Sequence, residues 1–236
     1  MTKKRILGFT FGRLLFILAS IPALVGCGLL TKQPWYEMLL SVYSVVTLMY
    51  LAEGKRAGCA CGMVYCLAYG ALFFSKQIYG LAFFNTLFGA PVYLASFISW
   101  GRHMAEHSAG HKSGDTMEVR KLTPKLWALF LAMVPVLFAG IFALLRAVDS
   151  SDELWGPLLD SLSLSLVAPG LILLLLRYAE NWWFNLGGNS AVLILWVINT
   201  LRDISNFNFV LIAALLVATN AIGFVTWLRL ERKTAG

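Results

Sequence analysis

Eight apolar runs, at about 6 to 30, 35 to 52, 57 to 75, 78 to 100, 125 to 147, 154 to 176, 181 to 201 and 207 to 228, each approach the ~20 residues that a helix needs to cross a bilayer. In hydrocarbon a backbone must satisfy its own polar groups, so runs of this length commit the chain to helices. The longest break is Gly101 to Pro124, which leaves one integral membrane domain with short loops and no separate soluble domain. Charged residues make up only 13% of the chain, about half the share usual in a soluble domain, which agrees with that class.

The net charge of +7 could belong to a nucleic-acid-binding protein, but the basic residues alternate by side instead of forming a stripe. With the N-terminus inside, 15 of the 19 Lys and Arg fall on the cytoplasmic side; only Lys32, Lys76, Arg146 and Arg202 lie outside. That positive-inside bias supports eight spans with both termini in the cytoplasm of a bacterial inner membrane. No nucleic-acid partner and no cofactor are expected.

The first run follows a basic start and contains Leu24-Val25-Gly26-Cys27, similar to a lipoprotein cleavage box. An uncleaved accessory helix is the plainer reading. Cys59, Cys61 and Cys66 read as small packing residues in a reducing compartment. In the second run Glu37 shares a face with Ser41 and Ser44, and an acid inside a span is by default a functional candidate. Gly58 and Gly62 have the spacing of a close helix contact. The fourth run aligns Asn85, Gly89, Tyr93, Ser96 and Trp100 along one stripe, with Pro91 expected to break the helix near its middle.

The three histidines follow, and His103-x-x-Glu106-His107 matches an inverted zinc-protease pattern. A zinc-dependent membrane protease is the enzyme alternative, with His103 and His107 as metal ligands. Glycines and basic residues around the segment favour a solvated cytoplasmic loop, so no metal site and no enzyme activity are expected. Later, Asp160 with Ser161, Ser163 and Ser165 places a second acid inside a span.

The most polar span is Arg177 to Arg202. At 100° per residue Trp182, Asn185, Asn189 and Trp196 fall within roughly a 60° arc, and a face of amides cannot meet lipid without cost. Trp183 and Glu180 flank that face. Three correspondences run in order along the chain: Glu37 with Asp160, Glu53 with Glu180, and Tyr93-x6-Trp100 with Asn220-x6-Trp227. They point to a duplicated three-helix unit whose copies, being odd in number, need the fifth helix as an extra crossing. The expected boundaries are 1–34 for the accessory helix, 35–100 for the first repeat, 101–153 for loop and connector, and 154–236 for the second repeat and tail.

Asp160-Ser161, Arg177-Tyr178-Ala179-Glu180-Asn181-Trp182, Asn189, Asn220-x6-Trp227, Gly70 to Tyr79 and Trp100-Gly101-Arg102 together resemble the PnuC-type vitamin transporters over roughly residues 35 to 232. The resemblance implies a 3+1+3 core of parallel triple-helix repeats like that of SWEET sugar transporters, assembled as a homotrimer. It also implies facilitated diffusion of nicotinamide riboside or a related unphosphorylated vitamin, trapped by a cytoplasmic kinase. Nicotinamide riboside members usually carry Trp-x-x-Trp where this chain reads Trp182-Trp183-Phe184-Asn185, which leaves thiamine, riboflavin or another nucleoside as alternative cargoes. The substrate site expected on this reading comprises Trp182, Asn185, Asn189, Asn220, Tyr93, Asn85, Trp183, Glu37, Asp160 and Glu180.

Overall fold

The computed structural model describes residues 5–6, 9–75, 79–108, 119–148 and 154–234; for 5, 6, 10, 79, 80, 105–108, 205 and 232–234 it describes the backbone alone. A two-residue antiparallel pair, β1 (Arg5–Ile6) and β2 (Phe9–Thr10), precedes α1 (Phe11–Leu30). Then come α2 (Trp35–Ala52), α3 (Arg56–Ser75), α4 (Tyr79–Phe83), a π-helical segment (Phe84–Gly89) and α5 (Ala90–Ser108). The remainder is α6 (Pro124–Val148), α7 (Trp155–Leu175), α8 (Asn181–Arg202), a 3-10 turn (Ile204–Asn206) and α9 (Phe207–Thr234). Among the described residues eight helical stretches are long and apolar enough to cross a membrane, so the chain is an all-helical, multi-pass membrane protein.

The chain divides into two compact units, Met1–Met117 and Glu118–Gly236. In the first, α1 packs on α2, α2 on α3 and α3 on α5; in the second, α6 packs on α7, α7 on α8 and α8 on α9. Each unit is therefore a leading helix followed by three helices in sequential contact.

The turns after α2 and α7 share more than their place in this order. After α2, Glu53, Gly54 and Lys55 donate their N–H groups to the carbonyls of Met49, Leu51 and Tyr50. After α7, Leu176, Arg177 and Tyr178 donate to Ile172, Leu174 and Leu173, the same pattern position for position. Both are left-handed helix ends, with φ 68° at Gly54 and 65° at Arg177. Glycine takes that conformation freely; Arg177 takes it against the crowding of its own Cβ.

In the first unit small residues bring the helices close. A Cβ on Gly58 would lie 2.6 Å from the Leu51 nitrogen, and one on Gly62 would lie 2.6 Å from the Tyr93 ring. Near the start of α1, Arg13 forms an ion pair with Glu53, a carboxylate that is 3% exposed. Removing one partner strands the other charge in a dry place, so Arg13→Ala is expected to cost about 3–5 kcal/mol. Thermal unfolding of the detergent-solubilised variant measures this, and a melting temperature equal to that of the parent would contradict it.

The fourth span departs from expectation twice. The irregularity lies before Pro91, in the π-helical turns of Phe84–Gly89, because proline has no N–H to return to the preceding turn and the helix there widens. The helix also continues past Trp100 through Ser108, so His103 to His107 are helical and not a solvated loop. Arg56 explains the continuation: its guanidinium lies 3.8 Å from the Phe97 ring centroid, its Nε donates to the Phe97 carbonyl at 2.9 Å, and it packs where a Cβ on Gly101 would stand. No cap interrupts the helix at Trp100.

In the second unit Leu122, Phe130, Leu173 and Phe184 form a buried cluster, with Trp127 stacked on Phe184. Gly188 lets α8 approach α7 so closely that an added Cβ would meet Val167 at 2.6 Å and the Ser163 carbonyl at 3.0 Å. Of α6, Phe130 is buried, while Leu129, Leu131, Val136, Leu144 and Val148 face outward as lipid-facing residues do.

Candidate functional site

The asparagines of α8 form a ladder. Asn181, Asn185 and Asn189 lie one turn apart, and each donates its side-chain amide to a backbone carbonyl one turn earlier: Tyr178 at 2.7 Å, Asn181 at 2.9 Å and Asn185 at 2.9 Å. Their nitrogens are thereby occupied by the helix. What the ladder offers to a neighbour or ligand is oxygen, and Asn181 Oδ1 is buried without a partner.

Trp182 lies beside this ladder at 1% exposure. Its six-membered ring occupies the space over Gly223 of α9, where a Cβ would meet three ring carbons at 2.5–2.6 Å. One turn further along α9 its ring meets Trp227 edge-on, with centroids 5.8 Å apart. Asn220, on the same face of α9 as Gly223 and Trp227, is 0% exposed. The Trp182 Nε1 and both Asn220 amide atoms have no hydrogen-bond partner. Buried polar groups are nearly always satisfied, and each orphan costs about 1–3 kcal/mol. Trp182 and Asn220 thus bring unpartnered donors and an acceptor to the neighbourhood of one glycine.

Asn185 faces the other neighbour. It packs against Gly170 of α7, whose added Cβ would stand 2.9 Å from its Nδ2. Asp160 is half-buried on α7, while Ser161, Ser163 and Ser165 are buried; Ser161 and Ser165 donate to the carbonyls of Pro157 and Leu162.

Glu180 and Trp183 belong to a different surface of the second unit. Successive residues on a helix point about 100° apart, so Trp183 leaves Trp182 behind: it is half exposed and meets the Phe224 ring at 4.6 Å. With Lys121, Trp127, Ala179, Glu180, Leu228 and Glu231 these two rings line a cavity of about 280 Å³. Glu180 Oε1 accepts the Leu122 N–H at 3.0 Å, while Oε2 is buried without a partner. Burial pushes the Glu180 carboxyl above the usual range and the Glu231 charge adds to that, against the backbone N–H of Leu122 and the Lys121 charge. Lys121 sits 3.7 Å from Glu231 but is itself largely exposed.

The other three candidates lie in the first unit. Glu37 is buried on α2, beneath Ser41, which donates to the Glu37 carbonyl at 2.8 Å. Tyr93 is buried against Gly62, and Asn85, in the π-helical segment, donates to the Leu81 carbonyl at 2.8 Å. His103 Nδ1 is 3.0 Å from the Ser99 carbonyl, whereas the side chains of Glu106 and His107 lie outside the described residues. Among the described residues no three His, Cys, Asp or Glu side chains gather as a metal site.

Sequence reasoning missed Gly170 and Gly223 as seats for polar and aromatic rings, although a lone glycine in an apolar helix is the mark of such an approach. It also missed Trp127 and Phe224, which in one dimension are ordinary apolar-face aromatics.

The model of the nicotinamide mononucleotide transporter family matches residues 34–229. The chain is 21% identical over 203 residues to the nicotinamide riboside transporter PnuC of Neisseria mucosa, covering 86% of this chain and 75% of that protein. It is 24% identical over 225 residues to the protein of the same name from Haemophilus influenzae, covering 93% and 89%. A crystal structure of the vitamin B3 transporter PnuC has the same fold, with a TM-score of 0.77 over 96% of this chain and 94% of that one at 19% identity.

Proposed function

Because the chain belongs to the nicotinamide mononucleotide transporter family, whose members are transporters and not enzymes, we propose that it carries an unphosphorylated vitamin nucleoside across the bacterial inner membrane, with nicotinamide riboside as the cargo. The observation that carries this reading is the pair of buried, unpartnered groups, Trp182 Nε1 and the Asn220 amide, on either side of Gly223. A carboxamide or a ribose hydroxyl supplies both a donor and an acceptor to such groups, and the Trp182 ring offers a flat, electron-rich face to the pyridinium of nicotinamide riboside.

The charge of the site favours the nucleoside over its phosphate. Between Trp182 and Asn199 on α8, and between Phe207 and Trp227 on α9, every polar side chain is neutral. A phosphate dianion would be desolvated there without a cation to receive it, at prohibitive cost. Asn189 completes the α8 face, Asn185 sets the α7 contact, and Asp160 contributes from the polar stripe of α7. The cargo names of the two curated relatives and the Asn-for-Trp exchange at Asn185 both bear on the choice of ring, and thiamine is the second cargo to test.

On this reading the core is 3+1+3, residues 35–100 and 154–236 being the triple-helix repeats, 1–34 an accessory helix and 101–153 the loop and connector. It works as a homotrimer with both termini cytoplasmic. Transport is facilitated diffusion by alternating access, made productive when a cytoplasmic kinase phosphorylates the cargo. The shared helix-end pattern after α2 and α7 supports the duplication. A thermal-shift screen of the purified protein is expected to show stabilisation by nicotinamide riboside and none by nicotinamide mononucleotide. Stabilisation by the mononucleotide, or by no vitamin nucleoside, would overturn the reading; stabilisation by thiamine alone would replace the cargo.

A further inference from the structure

The cavity beside Glu180 and Trp183 is unexplained by the Trp182–Asn220 pair, because Trp182 leaves α8 on another face and meets Gly223 and Trp227 of α9. Its composition is specific: three aromatic side chains, Trp127, Trp183 and Phe224, and two carboxylates, Glu180 and Glu231, against one lysine. That lysine is largely exposed and pairs with Glu231 at 3.7 Å, its charge reaching Glu180 only as a weak opposing effect. Glu180, only 7% exposed, keeps its Oε2 buried without a hydrogen-bond partner.

The first unit shows what such groups hold. Glu53 and Glu180, Arg56 and Trp183, Phe97 and Phe224, and Trp100 and Trp227 are separated by one and the same sequence interval, and both tryptophans of the last pair are 0% exposed. In the first unit Glu53 is paired with the Arg13 guanidinium, and the Phe97 ring carries the Arg56 guanidinium at 3.8 Å. In the second unit the equivalent acid lacks such a partner on Oε2, and the equivalent ring carries neutral Trp183. The features that hold two cations in one unit thus border an open cavity in the other.

We propose that the cavity walled by Glu180, Trp183, Trp127 and Phe224 is a second binding site, one that takes a compact organic cation, ammonium or pyridinium, over its aromatic rings with Glu180 as counter-ion. An aromatic wall attracts a desolvated cation through its ring quadrupole, and a buried carboxylate with an unpaired oxygen gains most from an opposite charge. The burial that raises the Glu180 carboxyl is the same burial that strengthens its attraction for a cation. This cavity shares no lining residue with the Trp182–Asn220 pair, so its existence does not rest on the cargo chosen above, although nicotinamide riboside, as a pyridinium, belongs to the class of cations it would take. The same cation chemistry is available from a soluble amine or ring cation and from the head of a zwitterionic lipid.

The test uses the full chain in nanodiscs of phosphatidylglycerol and follows tryptophan fluorescence on titration with 1-methylnicotinamide, a ring-methylated pyridinium, with choline and with neutral nicotinamide. The two cations are expected to bind and nicotinamide to bind about tenfold more weakly or not at all. Glu180→Gln keeps an oxygen for the Leu122 N–H while removing the charge, and is expected to weaken cation binding about tenfold; Trp183→Ala is expected to do the same and Trp183→Phe to retain most of it. Competition on exchanging the lipid for phosphatidylcholine would assign the site to a headgroup, and its absence to a soluble cation. Equal binding of nicotinamide, or cation binding that survives both Glu180→Gln and Trp183→Ala but is lost in Trp182→Ala, would overturn the proposal. Unaltered melting curves for Glu180→Gln and Trp183→Phe show that the readout is not misfolding.

Discussion

Asn220→Leu is expected to make the ligand-free protein melt several degrees higher and to weaken cargo binding roughly 10- to 100-fold. The two effects share one cause. Asn220 is fully buried and neither atom of its amide has a partner, so the folded chain bears a desolvation cost of about 1–3 kcal/mol that leucine, of similar size, removes. If a cargo group is what satisfies that amide, the same substitution deletes the hydrogen bonds that the cost is kept for, and a loss of about 1.4 kcal/mol is tenfold in affinity. A merely structural asparagine would show the opposite pair of signs: lower melting temperature and unaltered uptake of nicotinamide riboside. Melting curves and uptake, measured on the same variant, separate the cases.

Trp182→Ala should have the largest effect on the molecule itself. The ring fills the seat over Gly223 and meets Trp227, so its removal opens a cavity that Gly223 has no side chain to fill, at an expected cost of about 3–5 kcal/mol. Uptake should vanish with it. Because instability alone could do that, Trp182→Phe is the informative companion: it keeps a ring in the seat but loses Nε1, and is expected to melt near the parent while losing about tenfold in affinity. Normal uptake by a folded Trp182→Ala protein would remove Trp182 from the site.

The spans were legible because length and apolarity are one-dimensional properties, and the eight runs recur as eight helical stretches of nearly the same limits. The family was legible from Arg177 to Trp182 and from Asn220 to Trp227, whose polar groups have no reason to stand in a lipid-facing helix. What a linear pattern could not supply was direction. Trp182 and Trp183 read as one aromatic pair, yet they meet different residues of α9, Gly223 with Trp227 and Phe224. Asn185 read as part of the cargo face and packs at Gly170 of α7. Glu180 was visible as an acid at a helix start, but its partner is a backbone N–H at Leu122, before a different helix. The segment from His103 to His107 was misread because its glycine neighbours suggested a loop, while Arg56, from another helix, braces Phe97 and Gly101 just before it.

The outward apolar face of α6 has a consequence for where the second unit rests in the bilayer. Lys125 and Arg146 stand near its two ends, and at 1.5 Å per residue they are about 30 Å apart, the thickness of the hydrocarbon layer. Phe130 is the one buried residue of α6, and cations at such positions reach the headgroup planes by extending their side chains. A thinner membrane would therefore tilt α6 and, through its contact with α7, lean on the helix that seats Asn185. The apolar length of α6 is thus matched to the bilayer, and the helix meets the rest of its unit through α7 and through Trp127 on Phe184 of α8.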